Sequence, residues 1–198
     1  MKILLAEDQA MVRTALASLI RLETDYEVDE ASDGKEARDK LQSNTYDVLL
    51  TDIEMPHLSG LELVQWLKQA QPEVRCVIMT TFNRAGYIKR AIDAGVNGFL
   101  LKDAPIKVLI SSLQQVIAGQ QVISNELLMQ AIGHQDPLTE KERQALRLAG
   151  EGLSTQAIAQ KLFIAEGTAR NYLSEAISKL HASNRVEAAR IAHQKGWL

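Results

Sequence analysis

Five short apolar runs recur through the first half of the chain, near residues 2–6, 27–31, 47–51, 75–79 and 97–101. An amphipathic stretch follows each, near 9–21, 34–43, 60–70, 85–94 and 106–118. No other feature restricts the fold so strongly. Except at 27–31 the runs lack polar alternation, and such runs read as strands buried on both faces, which occur where helices cover both sides of a parallel sheet. In the first amphipathic stretch, Ala10, Val12, Ala15, Leu16, Leu19 and Ile20 approximate one helical face. Five strand–helix units predict an α/β domain, a five-stranded parallel sheet with helices on both faces in the flavodoxin-like order. The run Glu27-Val28-Asp29-Glu30-Ala31 alternates charged and apolar residues, as suits an edge strand.

Acidic residues stand directly after two of the runs. Glu7 and Asp8 follow Lys2 to Ala6, and Asp52 follows Val48 to Thr51 in Leu49-Leu50-Thr51-Asp52-Ile53-Glu54-Met55-Pro56. Side chains just past such strands sit at the carboxyl edge of the sheet, where open α/β folds place their sites. Three carboxylates gathered there require a compensating proton or cation, and an all-oxygen set suits Mg²⁺. Lys102 ends a third run, Gly98-Phe99-Leu100-Leu101, and supplies a cation able to grip a phosphate. Each residue also has a plain structural reading. Asp52 reads as a strand-to-turn junction, Glu7 and Asp8 as acids at the start of a helix near Gln9, Thr80 as a strand end, Phe99 as core and Lys102 as a solvated charge. Their joint order and common placement at strand ends favour a site.

This set resembles the receiver domain of two-component response regulators over roughly the first 120 residues. The resemblance implies Asp52 as the phosphoacceptor. It implies Glu7, Asp8, Asp52 and the backbone carbonyl of Glu54 as Mg²⁺ ligands, and Lys102 and Thr80 as contacts to the phosphoryl oxygens. Thr80 and Phe99 match the residues that switch on phosphorylation, Phe99 by rotating into space that Thr80 vacates. Two departures stand out: the acidic pair is Glu-Asp rather than Asp-Asp, and Lys102 is followed by Asp103 rather than proline. The implied chemistry is a self-directed phosphotransfer from a sensor histidine kinase, not turnover of a diffusible substrate, so the chain is not expected to be an enzyme.

With 46% apolar and 24% charged residues the chain has an ordinary globular composition. It has no run of 18 uncharged apolar residues, so no membrane insertion is expected. Acids at positions 7 and 8 come too early for a signal peptide. One cysteine, Cys76, lies inside an apolar run and excludes an internal disulfide; a reducing, cytoplasmic location is expected. Charge is uneven. Residues 1–120 carry 13 Lys/Arg and 17 Asp/Glu, whereas residues 137–198 carry 9 and 6. A surplus of three positive charges is weak support for nucleic-acid binding by itself.

Residues 1–120 are expected to form the first domain, 121–136 a linker holding one short helix and a solvated His134, and 137–198 a second domain. In the second, Leu138-Thr139-Glu140-Lys141-Glu142 is a capping box that opens a helix to about Ala149. Ser154 caps a second helix from Thr155 to Leu162, Phe163-Ile164-Ala165 is a tight turn, Glu166 to Leu180 is a longer third helix, and Asn184 caps a fourth reaching about Lys195. Two short helices joined by a three-residue turn have the geometry of helix-turn-helix, whose second member enters the major groove.

The residues Leu138-Thr139, Lys141-Glu142-Arg143, Gly152-Leu153-Ser154, Ile158-Ala159, Leu162, Lys179-Leu180, Asn184-Arg185 and Glu187-Ala188 resemble the LuxR-type helix-turn-helix. With the receiver in front, the whole chain resembles a NarL/FixJ-type response regulator. Several segments, among them Glu7-Asp8-Gln9 and Gly167-Thr168-Ala169-Arg170-Asn171-Tyr172, are similar to regulators of fatty-acid desaturation in Gram-positive bacteria. The second module departs from its family at Ala165, which replaces a capping serine, and at Ala169, Ala176 and Ala182, which replace larger aliphatics and predict light packing. Arg170, Asn171 and Ser174 share a helical face, and the resemblance implies that they reach base edges. Thr168, with Glu166 and Gly167, opens the helix near a phosphate, and Lys179 is expected to contact phosphate or solvent. The expected partners are a sensor histidine kinase, double-stranded promoter DNA and a second copy of the chain, dimerising on phosphorylation through the first and fifth helices or the fourth and fifth. The competing reading is a receiver-like module controlled by ligand or protein binding without phosphate; the intact Glu7, Asp8, Asp52, Thr80 and Lys102 set argues against it.

Overall fold

A computed structural model describes residues 1–81, 85–124, 127–129 and 136–198. The chain divides into two compact units, with the main changeover at residues 130–131. Ten elements alternate in the first unit: β1 (Lys2–Ala6), α1 (Ala10–Glu23), β2 (Glu27–Ala31), α2 (Gly34–Ser43), β3 (Val48–Asp52), α3 (Gly60–Ala70), β4 (Arg75–Thr80), α4 (Ala85–Asp93), β5 (Gly98–Leu101) and α5 (Ile106–Ile117). All pairings are parallel and the order is β2-β1-β3-β4-β5, the expected doubly wound arrangement. The apolar runs are explained by burial: every residue of β3 is buried, and Ile3, Leu4, Leu5, Leu49, Leu50, Val77 and Ile78 are fully enclosed between helix layers.

Local sequence sets where α2 and α3 begin. Asp33 caps α2 by accepting the Glu36 N–H at 2.8 Å, and Ser59 and Glu62 form a reciprocal capping box at the start of α3. Gly60 has a stricter reason. A Cβ there would lie 1.9 Å from the Asp52 carbonyl oxygen, so only glycine lets α3 press against the end of β3. Its N–H donates to the Ile53 carbonyl at 2.9 Å, which fixes the turn after Asp52.

The expected linker begins differently. After α5 the chain returns to the sheet: Val122 bridges Gly98 in parallel, its N–H donates to the Asn97 carbonyl at 2.8 Å, and its carbonyl accepts the Phe99 N–H at 2.9 Å. This contact covers part of the open edge of β5. A one-residue pairing carries too little periodicity to be read from sequence. Residues 127–129 are helical, while His134 and most of the remaining expected linker lie outside the described residues.

The second unit contains α6 (Glu140–Gly150), α7 (Thr155–Leu162), α8 (Glu166–Lys179) and α9 (Arg185–Gln194). Thr139–Glu142, Ser154 and Asn184 cap α6, α7 and α9 as their sequences predict, and Ala165 at the head of α8 provides no side-chain cap. Phe163 ends α7 in the left-handed conformation, with φ +55°. The core is rich in alanine: Ala145, Ala169, Ala176, Ala188 and Ala192 are fully buried among Leu146, Ile158, Leu173 and Trp197. Small side chains bring the helices close, so that a Cβ on Gly150 would meet Ala189 Cβ at 3.2 Å. The expected light packing is therefore met by close approach of backbones rather than by bulk.

Arg143 closes this unit. Only 9% exposed, it donates from Nε to the Trp197 carbonyl at 2.6 Å, from Nη2 to Asp136 at 2.5 Å, and from Nη1 to Glu140. The two ends of the module are thus tied to one guanidinium. Removing one partner of such a group leaves buried polar atoms without compensation. Arg143→Ala should destabilise the second unit by about 3–5 kcal/mol, and Arg143→Lys should recover little of it, because an ammonium cannot reproduce the planar fork. Urea unfolding of the full chain measures both.

Candidate functional site

Glu7, Asp8, Asp52, Thr80 and Lys102 all stand at the carboxyl ends of strands, in the region where the strand order reverses between β1 and β3. Glu7 is fully buried, Asp52 is 6% exposed and Asp8 is open to solvent. One carboxylate oxygen from each of the three lies within 4.8 Å of the others. Lys102 reaches into this group, with Nζ 2.6 Å from Glu7 Oε2 and 3.0 Å from Asp52 Oδ2. The Asp52 Oδ1 atom accepts the Ile53 N–H at 2.8 Å, which orients the carboxylate. Thr80 ends β4 beside β5, its carbonyl accepting the Lys102 N–H at 2.9 Å.

The charges do not balance. Three carboxylates face one ammonium, which leaves an excess of two negative charges when all are ionised. Burial pushes the Asp52 carboxyl up to about 6, against the opposing pull of Lys102 and with a further push from Glu7. Burial works to lower the Lys102 pKa, but hydrogen bonding and attraction from Glu7 and Asp52 outweigh it and hold the ammonium protonated above its ordinary range. The buried Glu7 Oε2 has the ammonium as ionic neighbour and no well-aligned hydrogen-bond donor. An all-oxygen cluster with surplus negative charge and one face open at Asp8 fits a hard divalent cation that retains several waters, the preference of Mg²⁺. The plain reading of Glu7 as an acid at the start of α1 holds in part: the cap residue is Gln9, whose N–H donates to Glu7 Oε1 at 3.4 Å, while Glu7 Oε2 faces Lys102 in the cluster.

In the second unit α8 is two-faced. Ala169, Leu173 and Ala176 are buried, while Gly167, Arg170, Asn171 and Ser174 are exposed at positions i, i+3, i+4 and i+7. Thr168 is half-buried. Arg170 Nη2 donates to Glu166 Oε1 at 3.0 Å. Following α7 across a three-residue turn, α8 presents a continuous polar face at the position of a helix-turn-helix reading element.

The sequence matches the family model for the response regulator receiver domain over residues 3–114 and that for the LuxR family of bacterial regulatory proteins over residues 136–192. The chain is a two-component response regulator with a LuxR-type DNA-binding domain. It is 42% identical to the transcriptional regulatory protein YvfU of Bacillus subtilis (strain 168) over 100% of this chain and 99% of that protein. It is also 42% identical to the transcriptional regulatory protein DesR of the same organism, over 98% of each. Equal similarity to two regulators assigns no pathway. Among solved structures, the response regulator ChrA of a heme-sensing two-component system aligns at 33% identity with a TM-score of 0.55, covering 100% of this chain and 98% of that one. RcsB of Salmonella enterica serovar Typhimurium, bound to the promoter rprA with the phosphomimetic BeF₃⁻, shares the fold at a TM-score of 0.74 and 24% identity, over 96% and 97% of the two chains. Among the described residues, no helix of this response regulator is long and apolar enough to cross a membrane.

Phe99 is 1% exposed, inside the receiver core beside the end of β4. Lys179, expected near phosphate or solvent, is instead clamped on Glu142, with Nζ 2.8 Å from both carboxylate oxygens. The partners are 37 residues apart in sequence, and only packing of α6 against α8 brings them together. Glu142 therefore serves both the capping box and this ion pair, which holds its carboxyl below the ordinary range although burial alone would raise it. The Glu166–Arg170 pair, by contrast, was readable in the sequence as an i, i+4 couple.

The raised Asp52 pKa has a sign that can be measured. The folded state keeps this proton to about pH 6 and the unfolded chain releases it at about 4, so ionisation of Asp52 removes stability as pH rises through that window. Without divalent metal, Asp52→Asn should be more stable than the parent by about 2 kcal/mol at about pH 7.5 and by little at about pH 4. Added Mg²⁺ should stabilise the parent and leave the variant almost unchanged. Thermal melts across pH, with and without Mg²⁺, give all four values.

Proposed function

We propose that this response regulator is phosphorylated on Asp52 by a sensor histidine kinase, dimerises, and then reads promoter DNA with α8. The observation that carries the first step is the buried Asp52 carboxylate, fixed by the Ile53 N–H on one oxygen and faced by Lys102 on the other. The phosphorus–nitrogen bond of a phosphohistidine breaks as a phosphorus–oxygen bond forms to Asp52, and the imidazole leaves. Glu7, Asp8, Asp52 and the Glu54 carbonyl would hold Mg²⁺, which when bound neutralises charge on the transferring oxygens. Lys102, 3.0 Å from Asp52 Oδ2, supplies a second positive charge, and Thr80, at the end of the adjacent strand, supplies a hydroxyl to the new phosphoryl group. Acetyl phosphate with Mg²⁺ should label the parent chain and not Asp52→Ala, as read by intact mass. Equal labelling of both would exclude Asp52 as the acceptor.

The dimer contact is assigned to α1 together with the adjacent α5. Met11 and Leu22 are 86% and 78% exposed. With the exposed Ala15 and Leu19 they form an apolar stripe at i, i+4, i+8 and i+11, interrupted by the small hydroxyl of Ser18. Val108 on α5 is also exposed. A two-fold contact through this stripe places two reading helices for two DNA half-sites. Phosphate biases the equilibrium through Thr80 at the end of β4 and Phe99 in β5. Beryllofluoride with Mg²⁺ should convert the parent from monomer to dimer in sedimentation, whereas Met11→Glu and Leu22→Glu should remain monomeric. Dimers formed equally by both variants would remove the stripe from the interface.

Arg170, Asn171 and Ser174 are the assigned base contacts, with Thr168 near phosphate; Lys179, a third exposed and paired with Glu142, reaches phosphate only in competition with that pair. Arginine pairs bidentately with guanine and asparagine with adenine in the major groove.

A further inference from the structure

Glu166 stands in the first turn of α8, four residues before Arg170, where a carboxylate opposes the approach of a polyanion. The fold gains little from it. Its ion pair with Arg170 has side chains 50% and 68% exposed, and exposed pairs of this kind contribute little to stability. An acid at a helix amino end is mildly favourable, but aspartate, glutamate or a capping serine at Ala165 would serve that need without facing the reading residue. The pairing has a geometric effect. A free arginine on a helix surface swings to whichever phosphate is nearest, whereas Glu166 Oε1 at 3.0 Å from Nη2 restrains the guanidinium along the helix face. The remaining N–H donors of the fork are left for a bidentate partner.

The next residue supports close approach of this turn to DNA. A Cβ on Gly167 would meet nothing within 4 Å, so no neighbour in the protein requires glycine there, although glycine weakens a helix relative to alanine. Gly167 shares the exposed face of Arg170, Asn171 and Ser174. The module also has a surplus of only three positive charges over residues 137–198, so its attraction to arbitrary sequence is already small and one carboxylate weighs heavily in it.

We propose that Glu166 is a specificity-determining residue of the DNA interface. It positions Arg170 for a base edge and repels phosphates that Arg170 would otherwise seize on non-cognate sequence. The proposal rests on the reading of Arg170 as a base contact. The test uses the full-length protein with Mg²⁺ and beryllofluoride and two probes: duplexes that the parent selects from a random-sequence pool, and scrambled duplexes of the same composition. Glu166→Gln should strengthen binding to scrambled duplex several-fold, fail to strengthen binding to selected duplex, and so reduce the ratio of the two affinities about tenfold. Binding to scrambled duplex should become more sensitive to salt. In an Arg170→Ala background the same substitution should leave the ratio unchanged, because no guanidinium remains to be positioned. Glu166→Ala should repeat the loss of discrimination, and melting curves confirm that both variants fold. If Glu166→Gln alters both affinities by one common factor, or its effect on the ratio persists without Arg170, Glu166 is not a specificity residue. A pool that yields no preferred sequence overturns base reading by α8 and this role together; a preferred sequence whose discrimination survives Glu166→Gln overturns only the role of Glu166.

Discussion

The ammonium of Lys102 between the carboxylates of Glu7 and Asp52 is the contact on which the receiver unit turns. Two buried carboxylates at one sheet edge repel each other strongly in a medium of low polarity, and without a cation one of them must keep its proton. Lys102 compensates part of that charge, and the remainder, including exposed Asp8, forms an acidic pocket compatible with a metal ion. Burial raises the Asp52 carboxyl to about 6 in spite of the pull of Lys102.

The backbone delivers these groups to one place. Parallel strands share an orientation, so residues following β1, β3, β4 and β5 all emerge at the same edge. Gly60 then lets α3 begin directly against the Asp52 carbonyl, which keeps the turn after β3 short and the carboxylate fixed. Rigid placement matters because phosphoryl transfer depends on positioning and electrostatics more than on covalent assistance from the protein. At the far edge of the sheet the Val122 bridge joins the chain after α5 to β5, the strand that carries Phe99 and leads into Lys102.

The DNA-binding unit solves a different problem. It is small, its core is built largely from alanine, and close helix packing supplies the contact that side-chain bulk does not. Polar ties complete it: Arg143 joins both ends of the module, and Glu142 joins α6 to Lys179 near the end of α8.

The sequence by itself determined the architecture and most of the site. Uninterrupted apolar runs admit few folds other than a covered parallel sheet, and parallel topology then places Glu7, Asp8, Asp52, Thr80 and Lys102 at one edge whatever the details of packing. The capping box at Thr139 was equally legible, because it acts within four residues. Tertiary structure alone decided the rest. That Lys179 pairs with Glu142, that Arg143 reaches the Trp197 carbonyl and that Val122 returns to β5 depend on residues brought together across 37, 54 and 24 positions. No local periodicity encodes such meetings. The burial of Phe99 and the exposure of Met11 and Leu22 were decided in the same way: a hydrophobic residue is equally apolar in sequence whether or not a neighbour covers it, and only the packed chain shows which faces remain open to a partner.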